Sequence, residues 1–176
     1  MKQDTEIPEI DQLLAAMEAQ VSHKRRSRSG YACIGLHCPQ DHRNVGAALR
    51  GASCFGVTFF AIEGARFRKA PTDVKHEYLA TPVIEVENLS SIIPHHCVPV
   101  AIELLPGAIS LPDYEHPRQA FYIFGGEHET LGRKVTDWCR DVVSIPTNGS
   151  LNLGVCVNIV LYDRLLKQLK NPPEGR

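Results

Sequence analysis

Apolar residues along the chain form short continuous runs, and segments with helical periodicity lie between them. The runs predict strands at residues 31–36, 57–62, 82–86, 98–104, 121–124 and 142–145. The periodic segments predict helices at residues 45–54, 131–139 and 151–169. Continuously apolar strands are typical of a parallel sheet that is covered on both faces. The pattern therefore predicts a doubly wound α/β domain with its ligand at the carboxyl ends of the strands.

A separate amphipathic helix is predicted before the first strand, because apolar residues recur there at helical spacing from Ile10 to Val21. A basic run follows it, formed by Lys24, Arg25, Arg26 and Arg28. This run is either a solvated linker or a patch that neutralises RNA phosphates, since such contacts require charge but carry no sequence information. The expected boundaries are therefore a helix and linker at residues 1–30, the main domain at 31–170 and a tail at 171–176.

Composition narrows the class of protein without identifying it. The formal net charge of −1 gives no overall attraction for nucleic acid, so any RNA binding must come from local basic patches. No run approaches the roughly 18 apolar residues that a membrane span requires. The six cysteines without a secretion signal indicate reduced thiols and a cytoplasmic protein. Cys33, Cys38 and His42 are spaced too loosely for a structural zinc site, so we expect no metal.

The usual nucleotide-binding motifs are missing from the chain. It contains neither G-x-G-x-x-G after a strand nor G-x-x-x-x-G-K-[ST], which excludes a simple Rossmann or P-loop prediction. Instead, glycines gather late, at Gly125, Gly126 and Gly149. A small-molecule site is therefore expected in the C-terminal third. His116 is interpreted as a loop histidine with no special role.

Three segments carry the specific signal. The first, Asn44 to Arg50, opens the helix after the first strand; Asn44 is a candidate cap, and Arg50 is expected on roughly the same side of that helix. The second is a strand that ends in Gly125-Gly126-Glu127, where paired glycines permit positive φ and close approach of a ligand. The third runs from Ile145 through Ser150 and Asn152 into the long helix, which either polar residue could cap.

In this order, the three segments resemble the motifs of the SpoU-type (SPOUT, TrmH-like) RNA 2′-O-ribose methyltransferases. That family has N-x-G-x-x-x-R, then a strand ending in F/L-G-x-E-x-x-G-L, then I-P-M…S-L-N before a helix. The resemblance covers roughly residues 31–166. Two positions differ from the family pattern: Thr130 stands where a glycine is usual, and Gly154 stands where a second serine is frequent.

The resemblance implies a parallel-sheet SPOUT domain with a C-terminal trefoil knot, which is a rare exception to the rule that chains do not thread loops. It also implies that the knot wall binds S-adenosyl-L-methionine, largely through backbone groups. The positions that correspond are Ile102, Glu103, Leu104, Gly125, Gly126, Ile145, Ser150 and Leu151. Members of the family are homodimers, so we expect a second copy of this chain as partner.

The resemblance also supplies candidates for catalysis. Arg50 is the central one, either as general base or, since a guanidinium is a poor base, as a group that binds a phosphate and stabilises developing alkoxide charge. Asn44 would hold the Arg50 segment or the RNA backbone. Glu127 would fix two loops by accepting backbone hydrogen bonds. Ser150 and Asn152 would line the acceptor side.

The function implied is transfer of a methyl group from S-adenosyl-L-methionine to a ribose 2′-hydroxyl. The short basic extension favours tRNA over rRNA as the substrate. An rRNA 2′-O-methyltransferase remains an alternative, and so does a non-catalytic RNA-binding protein that retains the fold, which Thr130 would favour. Methylation of a base nitrogen or of protein is disfavoured, because neither needs the arginine of the first motif. The sequence identifies neither the RNA nor the nucleotide.

Overall fold

The structure is a computed structural model that describes residues 30–68, 77–126 and 130–170. The predicted N-terminal helix, the basic run from Lys24 to Arg28, the C-terminal tail and Glu127 lie outside these ranges. The described strands are β1 (Tyr31–His37), β2 (Phe60–Glu63), β3 (Val83–Val86), β4 (Val98–Ile102), β5 (Ile109–Ser110), β6 (Gln119–Gly125) and β7 (Asp141–Ser144). The described α-helices are α1 (His42–Cys54), α2 (Gly132–Thr136) and α3 (Leu153–Lys170), with short 3-10 turns at Glu77–Leu79, Leu89–Ile92 and Leu111–Asp113.

The strands form one sheet in the order β3-β2-β1-β6-β4-β7-β5, and every described pairing is parallel. This confirms the predicted α/β class. Because all the strands point the same way, their carboxyl ends share one edge, as the sequence pattern requires. β1 pairs with β6 along its whole length, from Tyr31 opposite Gln119 to His37 opposite Gly125. The carboxyl end of β1, which precedes the first motif, therefore lies beside the carboxyl end of β6, which belongs to the second.

Buried side chains form one layer on each face of the sheet. On one face, α1 and α3 cover residues such as Ile34, Leu36 and Tyr122, which are fully buried. On the other face, Phe121 and Ile123 pack with Leu89 and Val135. Alternate residues of β1 and β6 thus enter different layers, which is why both strands are apolar throughout.

Several predicted boundaries were wrong. Strand β2 begins at Phe60 rather than residue 57, because the N–H of Val57 donates to the carbonyl oxygen of Ala52 at the end of α1 instead of pairing with a neighbouring strand. The helix predicted at 131–139 is only the five residues of α2. Strand β5 was missed, since two residues are too few to show any periodicity.

The cap of α1 is also not the predicted one. Asp41 is the N-cap and accepts a hydrogen bond from the backbone N–H of Arg43 at 2.8 Å, so Asn44 lies inside the first turn. The cap prediction for α3 is resolved in favour of Asn152. Its Oδ1 accepts from the N–H groups of Gly154 at 2.9 Å and Val155 at 3.3 Å.

Strand β7 lies between β4 and β5, which are close together in sequence. Val143 is paired with Ile102 on one side and with Ile109 on the other. Residues 103–108 therefore cross from one side of β7 to the other, around the end of the strand that leads towards α3. This crossing is the arrangement that a chain threaded through a loop requires; the trefoil knot itself stays a prediction.

A buried polar network joins α3 to the amino ends of the strands. The guanidinium of Arg164, 5% exposed, donates to the carbonyl oxygens of Pro117 (2.6 Å), Arg118 (2.8 Å) and Tyr31 (3.2 Å). It also donates to the hydroxyl oxygen of Tyr122 at 3.1 Å. These groups belong to the start of β1, to β6 and to the segment before β6, so a single side chain ties three parts of the chain to the helix.

His116 extends this network; it lies in a loop, as the sequence indicated, but its side chain is buried. One ring nitrogen, Nδ1, is 2.6 Å from the Tyr122 hydroxyl, and the other, Nε2, is 2.8 Å from Asp163. Burial raises the pKa of Tyr122 to about 12, so this hydroxyl stays protonated and can donate to Nδ1. Lys167 completes the cluster, donating to Asp163 at 2.7 Å and to the carbonyl oxygen of Tyr114 at 3.0 Å.

We expect His116 to make the fold sensitive to acid. Burial lowers its pKa from 6.5 to about 4, despite the opposing effect of Asp163. Because the pKa is depressed in the folded state, the stabilisation is complete above pH 6.5, decreases as the pH falls, and is lost by about pH 4. The loss should approach about 3 kcal/mol. Urea unfolding from pH 7 to 4 would measure it.

His116→Gln is the matched control for this pH series, because its amide can donate to Asp163 and accept from Tyr122 without titrating. Its free energy of unfolding should change less with pH between 6.5 and 4 than that of the wild type. Equal slopes for the two proteins would contradict the role given to His116.

Candidate active site

A cavity of about 260 Å³ opens at the carboxyl edge of the sheet, where β4, β6 and β7 end. All eight residues expected from the resemblance to contact the cofactor line it, which brings together segments far apart in sequence. The complete lining is Ile102, Glu103, Leu104, Phe124, Gly125, Gly126, Thr130, Ile145, Thr147, Ser150, Leu151, Leu153 and Cys156. The lining combines apolar side chains with backbone polar groups of strand ends, as small-molecule sites usually do.

Position 126 requires a glycine because neighbouring backbone packs too closely for a side chain, and not because the backbone has a positive φ. A Cβ atom on Gly126 would lie 2.3 Å from the carbonyl oxygen of Cys38, a separation that no side chain tolerates. Neither Gly125 nor Gly126 uses the positive φ that glycine permits. The glycine instead lets the end of β6 approach the turn after β1.

Glu103 connects two walls of the cavity. Its Oε1 accepts a hydrogen bond from the N–H of Leu104 and its Oε2 accepts from the N–H of Leu131, both at 2.8 Å. The sequence interpretation gave this kind of bridge to Glu127, which lies outside the described residues. Only the fold brings the end of β4 next to the segment before α2, so no sequence signal could assign the bridge to the Glu103 side chain.

The first and third motifs meet through two asparagines. Nδ2 of Asn152 donates to Oδ1 of Asn44 at 2.7 Å, joining the first turn of α1 to the start of α3. Gly154 makes this approach possible, because a Cβ there would lie 2.8 Å from the Cβ of Ala47. The motif asparagines therefore fix the relative position of the two helices at the edge that holds the cavity.

Arg50 stands apart from the cavity within a single chain. Arg50 is exposed in the third turn of α1 and does not line the cavity. An α-helix turns about 100° per residue, so six residues place Arg50 about 120° from Asn44, not on the same side as the sequence interpretation held. Among the described residues Arg50 makes no hydrogen bond or ion pair, which leaves its guanidinium available for a ligand.

Ser150 and Thr147 form the outer rim of the cavity. Both are exposed, and Thr147 Oγ1 donates to the carbonyl oxygen of Gly149 at 2.7 Å, which holds the turn between β7 and α3. Thr130, which stands where the family pattern has glycine, also lines the cavity.

Within residues 30–68, 77–126 and 130–170, no group of three or more His, Cys, Asp or Glu side chains is placed to hold a metal ion. In the same ranges, no helix has the length and apolar character needed to cross a membrane.

The fold is similar to that of several solved structures. The SpoU methyltransferase AviRb from Streptomyces viridochromogenes, solved with AdoMet, matches with a TM-score of 0.72 at 19% identity, over 85% of this chain and 60% of its own. The A. aeolicus TrmH/SpoU tRNA modifying enzyme matches with a TM-score of 0.73 at 15% identity, over 90% of this chain and 85% of its own. A structure described as giving insights into 2-OH methylation of C/U34 on tRNA matches with a TM-score of 0.68 at 20% identity, over 81% and 98%.

This chain spans about three fifths of the length of AviRb. No curated protein sequence matches it. The sequence itself, however, matches the model of the SpoU rRNA Methylase family over residues 32–162, a range that contains all three motifs. Since that match covers well over half of the chain and agrees with the fold, the protein belongs to the SpoU rRNA methylase family.

Proposed function

We propose that this protein transfers a methyl group from S-adenosyl-L-methionine to a ribose 2′-hydroxyl of RNA. The observation that carries the proposal is the cavity, because all eight positions expected to contact the cofactor converge on it. The AviRb structure with AdoMet supports the choice of cofactor. The chemistry of the lining also suits this cofactor, because Ile102 and Leu153 offer apolar surface beside the backbone groups of Gly125 and Gly126.

Different residues of this chain would bind the cofactor and stabilise the charge that develops in the reaction. The cavity residues, with Glu103 holding two of its walls, would bind and orient S-adenosyl-L-methionine, which supplies the methyl group on its sulfonium sulfur. Arg50 would bind a phosphate of the RNA and stabilise negative charge as the 2′-hydroxyl loses its proton to solvent. Positioning the hydroxyl against the donor accounts for most of the rate gain. Asn44 and Asn152 would hold the α1 and α3 segments in place.

We favour tRNA as the substrate. Two relatives that this chain matches over most of their own length are described as tRNA enzymes. The basic run of Lys24, Arg25, Arg26 and Arg28 would supply phosphate contacts in addition to Arg50. An rRNA target is the alternative, and a rRNA methyltransferase is among the structures with this fold.

Calorimetry and nucleoside analysis test the proposal together. Titration with S-adenosyl-L-methionine should give one site per chain, and digestion of treated tRNA should yield a 2′-O-methylated nucleoside by mass spectrometry. Methylation of rRNA alone would favour the alternative substrate. Absence of S-adenosyl-L-methionine binding would contradict the enzyme proposal and favour a non-catalytic RNA-binding protein.

We also propose that the protein acts as a homodimer through α1 and α3. A groove between these helices is lined mostly by apolar residues, and within it Val155 and Tyr162 are 46% and 58% exposed in the single chain. An apolar face of this kind on a helix otherwise packed in the core indicates a partner. The start of α3 also forms a cavity wall, so a second copy packed there would bring its own residues close to the site.

Val155→Glu should convert the dimer into a monomer, because it places a charge in the centre of the apolar groove. Sedimentation velocity measures the change. Leu79→Glu is the matched control, since Leu79 is 78% exposed on a separate 3-10 turn and its substitution should leave the dimer intact. A wild-type protein that sediments as a monomer would contradict the proposal.

A further inference from the structure

Three reactive side chains meet at the ends of β1 and β2, and the methyl-transfer proposal uses none of them. The sulfur of Cys38 is 3.8 Å from Nε2 of His37, which is within hydrogen-bonding range for sulfur. The other ring nitrogen of His37, Nδ1, is 3.0 Å from Oε1 of Glu63. Glu63 is itself held in place, because its Oε2 accepts from the N–H of Leu89 at 2.8 Å. A nucleophile, a base and a carboxylate beside the base therefore lie next to one another, which is the set of groups that nucleophilic sites use.

The backbone holds Cys38 in an uncommon conformation. Its φ is +48°, in the left-handed region, which costs about 1–2 kcal/mol for a residue with a Cβ. The N–H of Cys38 donates to the carbonyl oxygen of Glu63 at 2.9 Å, and Gly64 lies directly behind the sulfur, where a Cβ would come within 2.5 Å of it. The Cys38 backbone is therefore locally strained, and such strain is concentrated at functional positions.

His37 is incompletely satisfied in its resting state. Among the described residues its buried Nδ1 makes no hydrogen bond, although Oε1 of Glu63 lies 3.0 Å away. Buried polar atoms without a partner are rare and call for an explanation. A proton taken up on Nε2 would make the ring a cation beside the Glu63 carboxylate.

This cluster is separate from the cofactor cavity. None of its three side chains lines the cavity, although the carbonyl oxygen of Cys38 packs against Gly126. Cys38 is partly exposed to solvent.

We propose that Cys38 is a modification site that undergoes thiol–disulfide exchange with small disulfides such as oxidised glutathione. The thiol proton moves to Nε2 of His37, and the thiolate sulfur attacks one sulfur of the small disulfide. A new S–S bond forms on Cys38 while the S–S bond of the small molecule breaks. The departing thiolate takes the proton from His37, so the products are a mixed disulfide and one small thiol. The small disulfide is the only oxidant consumed.

The test compares two cysteines of the same molecule. The full chain is treated with oxidised glutathione at pH 7, and the rates of adduct formation at Cys38 and Cys54 are followed by peptide mass spectrometry. Cys54 is exposed at the end of α1 and serves as the internal control. We expect Cys38 to react at least about ten times faster than Cys54, since the adjacent base activates the thiol.

Two variants test the mechanism. His37→Gln should reduce the rate at Cys38 to that at Cys54 without changing the rate at Cys54. Glu63→Gln should give an intermediate rate, because the ring loses its carboxylate but keeps its nitrogen. A wild-type Cys38 no faster than Cys54 would overturn the proposal, and so would a Cys38 rate that His37→Gln leaves unchanged. If His37→Gln does not fold, the wild-type ratio and Glu63→Gln decide the matter. The readout is a mass, so it is independent of methyl transfer.

Discussion

Replacing Arg50 with alanine should lower the rate of RNA methylation by about 100- to 1,000-fold, the cost typical of losing a group that stabilises developing negative charge. Arg50 is exposed, and it makes no hydrogen bond or ion pair with the described residues. The variant should therefore fold and should bind S-adenosyl-L-methionine with wild-type affinity. Single-turnover methylation of tRNA measures the rate, and calorimetry measures cofactor binding.

Two controls separate the charge of Arg50 from its shape and from general electrostatics. Arg50→Lys keeps the charge but loses the planar pair of donors, so it should recover only part of the rate. Arg140→Ala removes an arginine that is 60% exposed and paired with Asp141 at the opposite, amino end of β7. It should leave the rate nearly unchanged. An Arg50→Ala protein that retains more than about a tenth of the rate would rule out the proposed electrostatic role.

The second large effect is on stability. Arg164→Met should lower the free energy of unfolding by about 3–5 kcal/mol, the usual range when one partner of a buried charged network is removed. Methionine fills a similar volume but donates no hydrogen bond. The carbonyl oxygens of Tyr31, Pro117 and Arg118 would then be left buried without this donor. Each such loss adds a desolvation cost.

Urea unfolding at pH 7 measures this change, and Lys170→Met is the matched control. Lys170 is exposed at the end of the same helix, so the same substitution there should change the unfolding free energy by less than about 0.5 kcal/mol. Similar losses in both variants would show that the effect comes from the helix sequence rather than from the network.

The pattern of apolar and polar residues along the chain already predicted the class of the sheet and the edge at which a ligand would bind. Continuous apolar strands at residues 31–36 and 121–124 predicted a parallel sheet, because only burial on both faces removes the need for alternation. The glycines and polar turns after the later strands predicted a ligand site at the carboxyl edge. The prediction of the parallel sheet succeeded because it depends on local patterns. A cavity lies at the carboxyl edge, because parallel strands bring their ends to one edge whatever their order.

Contacts between residues far apart in the chain could not be predicted from the sequence. Glu103 reaches Leu131, Asn44 reaches Asn152, and the ring of His116 reaches Asp163 only because strands and helices from different parts of the chain pack together. A local pattern carries no signal for such pairs. The same limit explains why Asp41 rather than Asn44 caps α1, since both residue types suit that position.

The sequence by itself determined the sheet class, since the apolar strand pattern rests on residue type and spacing. The cofactor segments and the role of Arg50 come from the resemblance of the motifs to the family and stay predictions. Only the tertiary structure decided which side chains share an environment. It placed Arg50 outside the cavity and His116 inside a buried network. It also placed Cys38 beside a histidine and a glutamate. The physical reason is that burial, charge and hydrogen bonding act through space, and the distances through space are set by packing rather than by separation along the chain.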